Sequence, residues 1–351
     1  MKRHVLQLLG GLDRACFEPV LLCPPHTPLA AEAEAAGIRV LPVSLAGAIN
    51  PPRDLRALRQ VRALLATLQP DILHIHSAKA GWVGRLALGR RRPRVILTLH
   101  SFIFDERVGR LQRALIARLE RWLARRTDRI IAVSQALKDD LVVMMGLPPA
   151  QIAVLYNGLD FADAAPPLPR RAAAPCIGAV ARLAPQKGLD CFLRAAALVA
   201  QHYPEATFPI IGDGPLRASL VALADELGLA DRVSFLGYRA DAVALMRAMD
   251  IFVLASTHET FGLTVAEALA QEVPVVAADV GGIPEIVEDG VSGLLASPGD
   301  PGDFADKTLR LLADPALARQ LAQQGSRDVR ARFSCQQMLA ATESLYRAVL
   351  K

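Results

Sequence analysis

The sequence has 351 residues and no apolar run of about 18 or more, so it offers no evident membrane span. Its opening stretch, MKRHVLQLLGGLDRACF, is broken by charge and lacks a small-residue cleavage site, and it reads as no signal peptide. Aromatic residues are only 5%, and no basic stretch is interleaved with rings, which argues against nucleic acid as a partner. The five cysteines (Cys16, Cys23, Cys176, Cys191, Cys335) are odd in number, scattered and never in CxxC. They read as small core residues in a reducing, cytoplasmic setting. No G-x-G-x-x-G follows a strand near a domain start, which disfavours a nicotinamide oxidoreductase. Asp-x-Asp is absent and no Cys/His cluster is visible along the chain, so no metal and no cofactor are expected.

What is present points to two α/β domains. The length exceeds one comfortable core. One compositional break falls at Ala162–Pro175, where four prolines sit among small residues, and reads as a linker. It separates domains over 1–161 and 176–334, and residues 335–351 read as a C-terminal helix packing back on the N-terminal domain. Short apolar runs alternate with helical patterns on both sides. Before the linker the strand runs are Val20–Cys23, Val40–Val43, Ile72–His76, Val95–His100, Arg129–Val133 and Ile152–Leu155. After it they are Cys176–Val180, Phe208–Gly212, Val233–Leu236, Ile251–Leu254, Val273–Ala277 and Gly293–Leu295. Such alternation implies parallel sheets covered on both faces, hence two Rossmann-like, doubly wound domains. The charge is uneven: residues 1–165 carry +9 and residues 166–351 carry −4, within a total of +5. The basic half therefore suits an anionic partner.

Ligands of open α/β sheets bind beyond the carboxyl ends of the strands. Polar residues fall there: His76, His100, Ser134, Arg182 and Glu259. Two segments stand out. In His258–Leu269 (HETFGLTVAEAL), Glu259 and Glu267 bracket a turn at Phe261–Gly262–Leu263–Thr264 that opens a helix. Gly262 permits close backbone approach, and first-turn N–H groups suit phosphate or hydroxyls. In Gly178–Gly188 (GAVARLAPQKG), Arg182 and Lys187 supply cations that would stabilise a diphosphate leaving group. Taken alone, each segment also fits an ordinary solvated junction. His74 and His76 alternate on one strand and are expected on opposite faces, unable to chelate one metal, with His74 in the core.

The order R-x4-K, E-x7-E and then Gly281-Gly282-x-Pro284-Glu285 resembles the retaining GT-B glycosyltransferases of family 4. PDILHIHS, LTLH, IIAVS, VLYNGLD, IGDGP and VSFLG fall at further landmarks of that family, so the resemblance covers nearly the whole chain. SAKAGWVGR after His76 is similar to members that build exopolysaccharide, capsule or O-antigen on lipid carriers. The resemblance implies two domains facing across a cleft. It implies transfer of a hexose or N-acetylhexosamine from a nucleotide-diphosphate sugar, by default a UDP-sugar, to a glycan or lipid-linked acceptor with retention. It assigns Arg182 and Lys187 to the diphosphate, Glu267 to the ribose, and Glu259 to the transferred sugar. The N–H groups of Phe261, Gly262 and Leu263, with Thr264 beside them, would meet sugar or phosphate. His100 would reach the reacting sugar, Leu236–Tyr238 would line the base pocket, and His76, Lys79 and Asn157 would lie on the acceptor side.

Members normally open with a strand and a glycine-rich loop before the helix that HVLQLLGGLD resembles. The expectation is therefore a first strand missing from the N-terminal sheet, with a gap or unpaired edges and a true start upstream. That departure keeps open an alternative, a non-catalytic homologue acting as a binding or partner subunit. A sugar-nucleotide epimerase is disfavoured by the paired E-x7-E and R-x4-K. Finally, Arg107–Arg126 carries seven arginines and apolar residues at helical spacing. It reads either as a helix drawn to an anionic membrane, placing the protein on the inner face of the plasma membrane, or as a core-facing helix with a solvated arginine face.

Overall fold

The computed structural model describes residues 1–45, 50–89, 92–101, 109–161 and 174–351. The linker expectation at 162–175, the start of the arginine-rich segment and the Arg90–Arg91 pair lie largely outside them. The chain divides into two compact units, one of residues 1–158 with 335–351, the other of residues 159–334.

In the first unit α1 (Lys2–Gly11) precedes β1 (Val20–Cys23), α2 (Pro28–Ala35), β2 (Arg39–Pro42) and α3 (Pro51–Leu68). Then come β3 (Ile72–His76), α4 (Ala78–Ala87), β4 (Arg94–Leu99), α5 (Arg110–Ala124), β5 (Arg129–Ala132), α6 (Gln135–Met145) and β6 (Ile152–Val154). Starts and stops follow local chemistry. Asn50 caps α3 by accepting from the Arg53 N–H, with prolines in the first turn, and Ser134 caps α6 by accepting from the Leu137 N–H. All ladders are parallel, but among the described residues they form two sheets, β1-β2 and β3-β4-β5-β6. Helix α1 sets Leu8 and Leu12 against Ile96, Ile131 and Tyr346 on one side of the four-stranded sheet.

The second unit runs β7 (Ile177–Val180), α7 (Leu189–His202), β8 (Phe208–Ile211), α8 (Arg217–Glu226), β9 (Val233–Gly237), α9 (Ala242–Met246) and β10 (Ile251–Leu254). It continues with α10 (Leu263–Ala270), β11 (Val275–Ala278), β12 (Leu294–Ala296), α11 (Pro301–Ala313) and α12 (Pro315–Arg332). Its six parallel strands form one sheet in the order β12-β11-β10-β7-β8-β9. The order reverses between β7 and β10, the switch point at which doubly wound sheets bind ligands. Strands β7, β10 and β11 are buried at every position, which explains why their sequences read as continuous apolar runs. The last helix, α13 (Cys335–Leu350), belongs to the first unit, where Tyr346 enters the α1 core.

A buried ion pair braces α4 against α5. Arg85 donates to Glu120 at 2.9 and 3.0 Å, Trp82 donates to the same carboxylate at 2.5 Å, and both charged side chains are essentially inaccessible. Desolvation lowers the Arg85 guanidinium from its ordinary pKa, and Glu120 opposes that shift. The cysteines correct the sequence expectation in part. Cys23 and Cys191 are buried, but Cys16 is exposed because it sits in the turn after α1. No helix among the described residues is long and apolar enough to cross a membrane.

Candidate functional site

In the second unit the loops leaving β7, β8, β10 and β11 press together backbone on backbone, at places only glycine can occupy. A Cβ on Gly188 would stand 1.9 Å from the Ala255 carbonyl oxygen, one on Gly212 1.9 Å from that of Ala181, and one on Gly281 1.8 Å from that of Glu259. Gly188 and Gly281 also adopt φ of 56° and 51°, a region costly for other residues. Hydrogen bonds lock the contacts. The Thr257 N–H donates to the Gln186 carbonyl (3.0 Å), and the Gly282 N–H donates to that of Glu259 (3.1 Å).

This clamp sets two of the expected residues against each other. The Lys187 ammonium, at the end of a short 3-10 turn over Pro185–Lys187, donates to the Glu259 carboxylate. The Ser256 hydroxyl donates to the same carboxylate at 3.4 Å. The two charged side chains are only 22% and 13% exposed, so the pair is partly shielded yet reachable. Phe261 is buried and meets Phe333 edge-on at 5.4 Å. Gly262, at φ 99°, turns the chain into α10 where a Cβ would collide with Ile283 at 2.3 Å. Leu263 and Thr264 form the first turn of α10, and Glu267 lies half-buried one turn on. Arg182 is exposed on the β7 loop. Leu236 and Tyr238 flank Gly237 at the end of β9, both exposed. Every one of these residues stands at or beyond the carboxyl edge of a parallel sheet.

The first unit gathers histidines. His76 ends β3 and His100 follows β4, with His76 Nδ1 3.1 Å from His100 Nε2 and the rings stacked at 5.4 Å. His4, from the first turn of α1, lies edge-on to His100 at 4.6 Å and to His76 at 5.5 Å. The expectation that His74 and His76 point to opposite faces is wrong. Side chains alternate with period two, so positions two apart share a face, and these rings lie 4.3 Å apart. His74 is nonetheless structural. Its Nδ1 meets the Tyr346 hydroxyl at 2.5 Å and its Nε2 meets that of Thr98 at 2.7 Å, tying β3, β4 and α13 together. The expectation of no Cys/His cluster is also corrected, because α1, β3 and β4 bring His4, His76 and His100 together from distant segments.

Desolvation is the main cause that holds these imidazoles below their ordinary range: His4 at about 4, with the Met1 ammonium adding; His74 at about 3, with His4 adding; His100 at about 2 and His76 well below its ordinary value, with the neighbouring rings and the Met1 ammonium adding. They are neutral at pH 7. Ser77, directly after His76, adopts φ 82° and ψ 154°, a conformation that favours glycine, so the turn out of β3 is strained. Of the acceptor-side expectations, Lys79 is held by Asp54 at 2.9 Å, and the Asn157 side chain hydrogen-bonds the His4 ring, which opposes the lowering of its pKa.

Sequence reasoning missed His4, Ser256 and the backbone role of Gly188. His4 opens HVLQLLGGLD but was given no role there, and Gly188 was noted only as the end of a segment.

Residues 1–163 match the family model described as Glycosyltransferase Family 4, and residues 174–314 match that described as Glycosyl transferases group 1. The fold agrees. The structure of Anabaena Alr3699/HepE in complex with UDP and glucose superposes with a TM-score of 0.85 at 24% identity, covering 99% of this chain and 95% of that one. The chain belongs to the family 4 type of GT-B glycosyltransferases. A D-inositol 3-phosphate glycosyltransferase of Mycobacterium sp. (strain KMS) is 35% identical over 283 residues, 73% of this chain. The chain spans 63% of that relative's length. The UDP-Gal:alpha-D-GlcNAc-diphosphoundecaprenol alpha-1,3-galactosyltransferase of Escherichia coli is 27% identical over 331 residues, covering 90% of this chain and 86% of the relative.

Proposed function

We propose that this family 4 protein is a retaining glycosyltransferase that takes a sugar from a UDP-sugar held by its second unit. The observation that carries the reading is the Lys187–Glu259 pair, fixed beyond β7 and β10 by the Gly188 and Gly281 contacts. An ammonium and a carboxylate so held can trade each other for a ligand. The ammonium, with Arg182, faces the diphosphate, and the carboxylate accepts from sugar hydroxyls. Glu267, one turn into α10, accepts from the ribose, and the first-turn N–H groups of α10 add partial positive charge. As the bond from the anomeric carbon to the phosphate oxygen breaks, the cations stabilise the charge gathering on the diphosphate. The acceptor oxygen bonds the anomeric carbon on the face the diphosphate leaves, and its proton passes to the departing phosphate oxygen. His100 serves the reacting sugar. No bound cofactor is invoked.

The acceptor is a lipid-linked glycan. The Escherichia coli relative is named for a UDP-sugar donor and a diphosphoundecaprenol acceptor. Helix α5 supports a lipid surface. It carries Arg110, Arg113, Arg118 and Arg121, while Leu111, Leu115 and Trp122 are 77%, 59% and 43% exposed. Only Ala117, Glu120, Leu123 and Ala124 of this helix are buried. A purely core-facing helix would bury those three apolar residues. An amphipathic helix with basic flanks suits anionic lipid. Sedimentation with phosphatidylglycerol vesicles but not with phosphatidylcholine vesicles is expected, and equal sedimentation with both removes the membrane part of the reading.

The donor reading is tested by thermal shift with UDP-, GDP- and ADP-sugars. A UDP-sugar is expected to raise the melting temperature. Lys187→Ala and Glu267→Ala each remove the shift, while Glu259→Ala retains UDP binding and loses discrimination among sugars. Undiminished binding in both of the first two variants overturns the assignment.

A further inference from the structure

The Glu259 carboxylate has two donors of different kinds, and only one of them can leave. We propose that Ser256 is a positioning residue: it keeps this carboxylate aimed at the transferred sugar when Lys187 turns to the diphosphate, and so sets how sharply the site tells one sugar from another. That role rests on the donor reading above, to which it adds a residue and a hand-over between donors.

The arrangement is asymmetric. Lys187 Nζ and Ser256 Oγ both donate to Oε2 of Glu259. Among the described residues this leaves Oε1 to accept from a sugar hydroxyl. Ser256 stands 3.4 Å from Oε2, beyond the usual range of about 2.5–3.0 Å for O–H···O. In the free protein the ammonium therefore holds the carboxylate, and the hydroxyl is the reserve partner. Hydrogen bonds that hold catalytic groups are commonly long before a ligand binds and tighten in the complex.

The two donors differ in freedom. Lys187 is 22% exposed and ends a flexible four-carbon stem, so it can swing to a phosphate. Ser256 is fully buried, with one side-chain torsion to its oxygen. Its backbone is pinned on both sides. The Ala255 carbonyl lies where a Cβ on Gly188 would reach it at 1.9 Å, and the Thr257 N–H donates to the Gln186 carbonyl at 3.0 Å. Both contacts come from the turn that carries Lys187, so that side chain can leave while Ser256 stays in place. The Glu259 carbonyl is held by the Gly282 N–H, and only its side chain is left to turn.

Removal of the ammonium by a diphosphate would leave a carboxylate with one donor. A shift of Oε2 by about half an ångström toward Ser256 makes a bond of ordinary length to a charged acceptor, the stronger kind. Burial keeps water from taking the hydroxyl. A buried serine commonly bonds a backbone carbonyl, yet among the described residues the partner of this hydroxyl is the carboxylate.

Titration calorimetry tests the role with UDP, UDP-glucose, UDP-galactose and UDP-N-acetylglucosamine, on the parent, Ser256→Ala, Glu259→Ala and the double variant. The parent is expected to bind UDP and to prefer one of the three sugars. Ser256→Ala should melt as the parent, because Lys187 still pairs with Glu259 in the free protein, and should bind UDP within about twofold. Its affinity for the preferred UDP-sugar, relative to UDP, should fall about tenfold. In the Glu259→Ala background the same change should have no further effect, since nothing is left to position. Parental sugar preference in Ser256→Ala, or an equal further loss in the double variant, overturns the role and leaves the donor reading standing. Equal losses for UDP and all three UDP-sugars would mean that Ser256 holds the loop and not the carboxylate, which also overturns it. So does a parent that binds UDP and every UDP-sugar alike. A parent that binds none of the four ligands sinks the donor reading, and this role with it.

Discussion

Among the described residues, six parallel strands make one sheet in the second unit, whereas in the first the same number is divided between two sheets. The second unit places its polar site residues on loops locked by glycine contacts, with one partly shielded ion pair. The first buries its polar groups deeply: a fully enclosed Arg85–Glu120 pair and a stack of neutral imidazoles. Burial decides what each ion pair is for. A desolvated pair that loses one partner leaves an uncompensated charge, while a half-shielded pair can exchange partners with a ligand. The first unit should therefore be the one broken by acid and by charge removal, and the second the one whose variants show in ligand binding.

Acid gives the largest expected contrast. A histidine whose folded pKa lies below its unfolded value of about 6.5 takes up its proton more readily when unfolded. Its stability contribution is complete above pH 6.5 and is lost as the pH falls toward the folded value, about 4 for His4 and about 3 for His74. Each ring then contributes up to about 1.4 kcal/mol per pH unit, so two rings over two units reach on the order of 5 kcal/mol. Both tryptophans, Trp82 and Trp122, lie in the first unit, so their fluorescence reports that unit alone. Tryptophan unfolding is expected between pH 6 and 4, ahead of the loss of total helical signal. Coincident transitions would erase the contrast.

Next comes Glu120→Ala. With Arg85 enclosed and its Nη1 already without a partner, the substitution should cost about 3–5 kcal/mol in urea melts followed by tryptophan. The double change Arg85→Met with Glu120→Leu should recover most of it. Glu259→Ala, by contrast, should leave the melting temperature nearly unchanged. A large stability loss there would mean that the Lys187 pair is structural, and the two units would no longer differ in this way.

Gly281→Ala comes third. The clash is with the backbone carbonyl of Glu259, which cannot swing aside, and φ is 51°. A cost of about 2–3 kcal/mol is expected, together with weakened donor binding, because Glu259 moves with its carbonyl. Parental stability and binding would show that the loop relaxes freely.

Much of this contrast could be read before the structure. Every strand run became a strand, with ends moved by a residue or two, because buried parallel strands announce themselves as short apolar runs. Lys187 and Glu259 were legible because a strand end fixes where its following residues stand. The histidine cluster was not. Its members come from a helix and two strands, and nothing local links His4 to His100. The error over His74 and His76 was one of period, since two steps along a strand return to the same face. Nor could spacing show that Leu111 and Leu115 stay exposed, because helical periodicity defines an apolar face without saying what covers it.

The smallest prediction concerns two caps of the same kind in different surroundings. Ser134 caps α6 in the first unit and is fully buried; Asp314 caps α12 in the second and is exposed. Each accepts from first-turn N–H groups, Ser134 from Leu137 at 3.0 Å and Asp314 from Ala316 and Leu317 at 3.1 and 3.0 Å. Removing a cap costs about 0.5–2 kcal/mol. At Asp314 water replaces the lost acceptor, so the cost should sit at the low end, even though two N–H groups lose a partner. At Ser134 no water reaches the Leu137 N–H, and the unsatisfied donor pushes the cost toward the high end. Ser134→Ala should therefore destabilise more than Asp314→Ala, by about 1 kcal/mol, in melts read by tryptophan fluorescence for the first unit and circular dichroism for the second. The opposite order would mean that the number of capped groups, and not their burial, sets the cost, and the distinction between a deeply buried first unit and a reachable second one would lose its energetic basis.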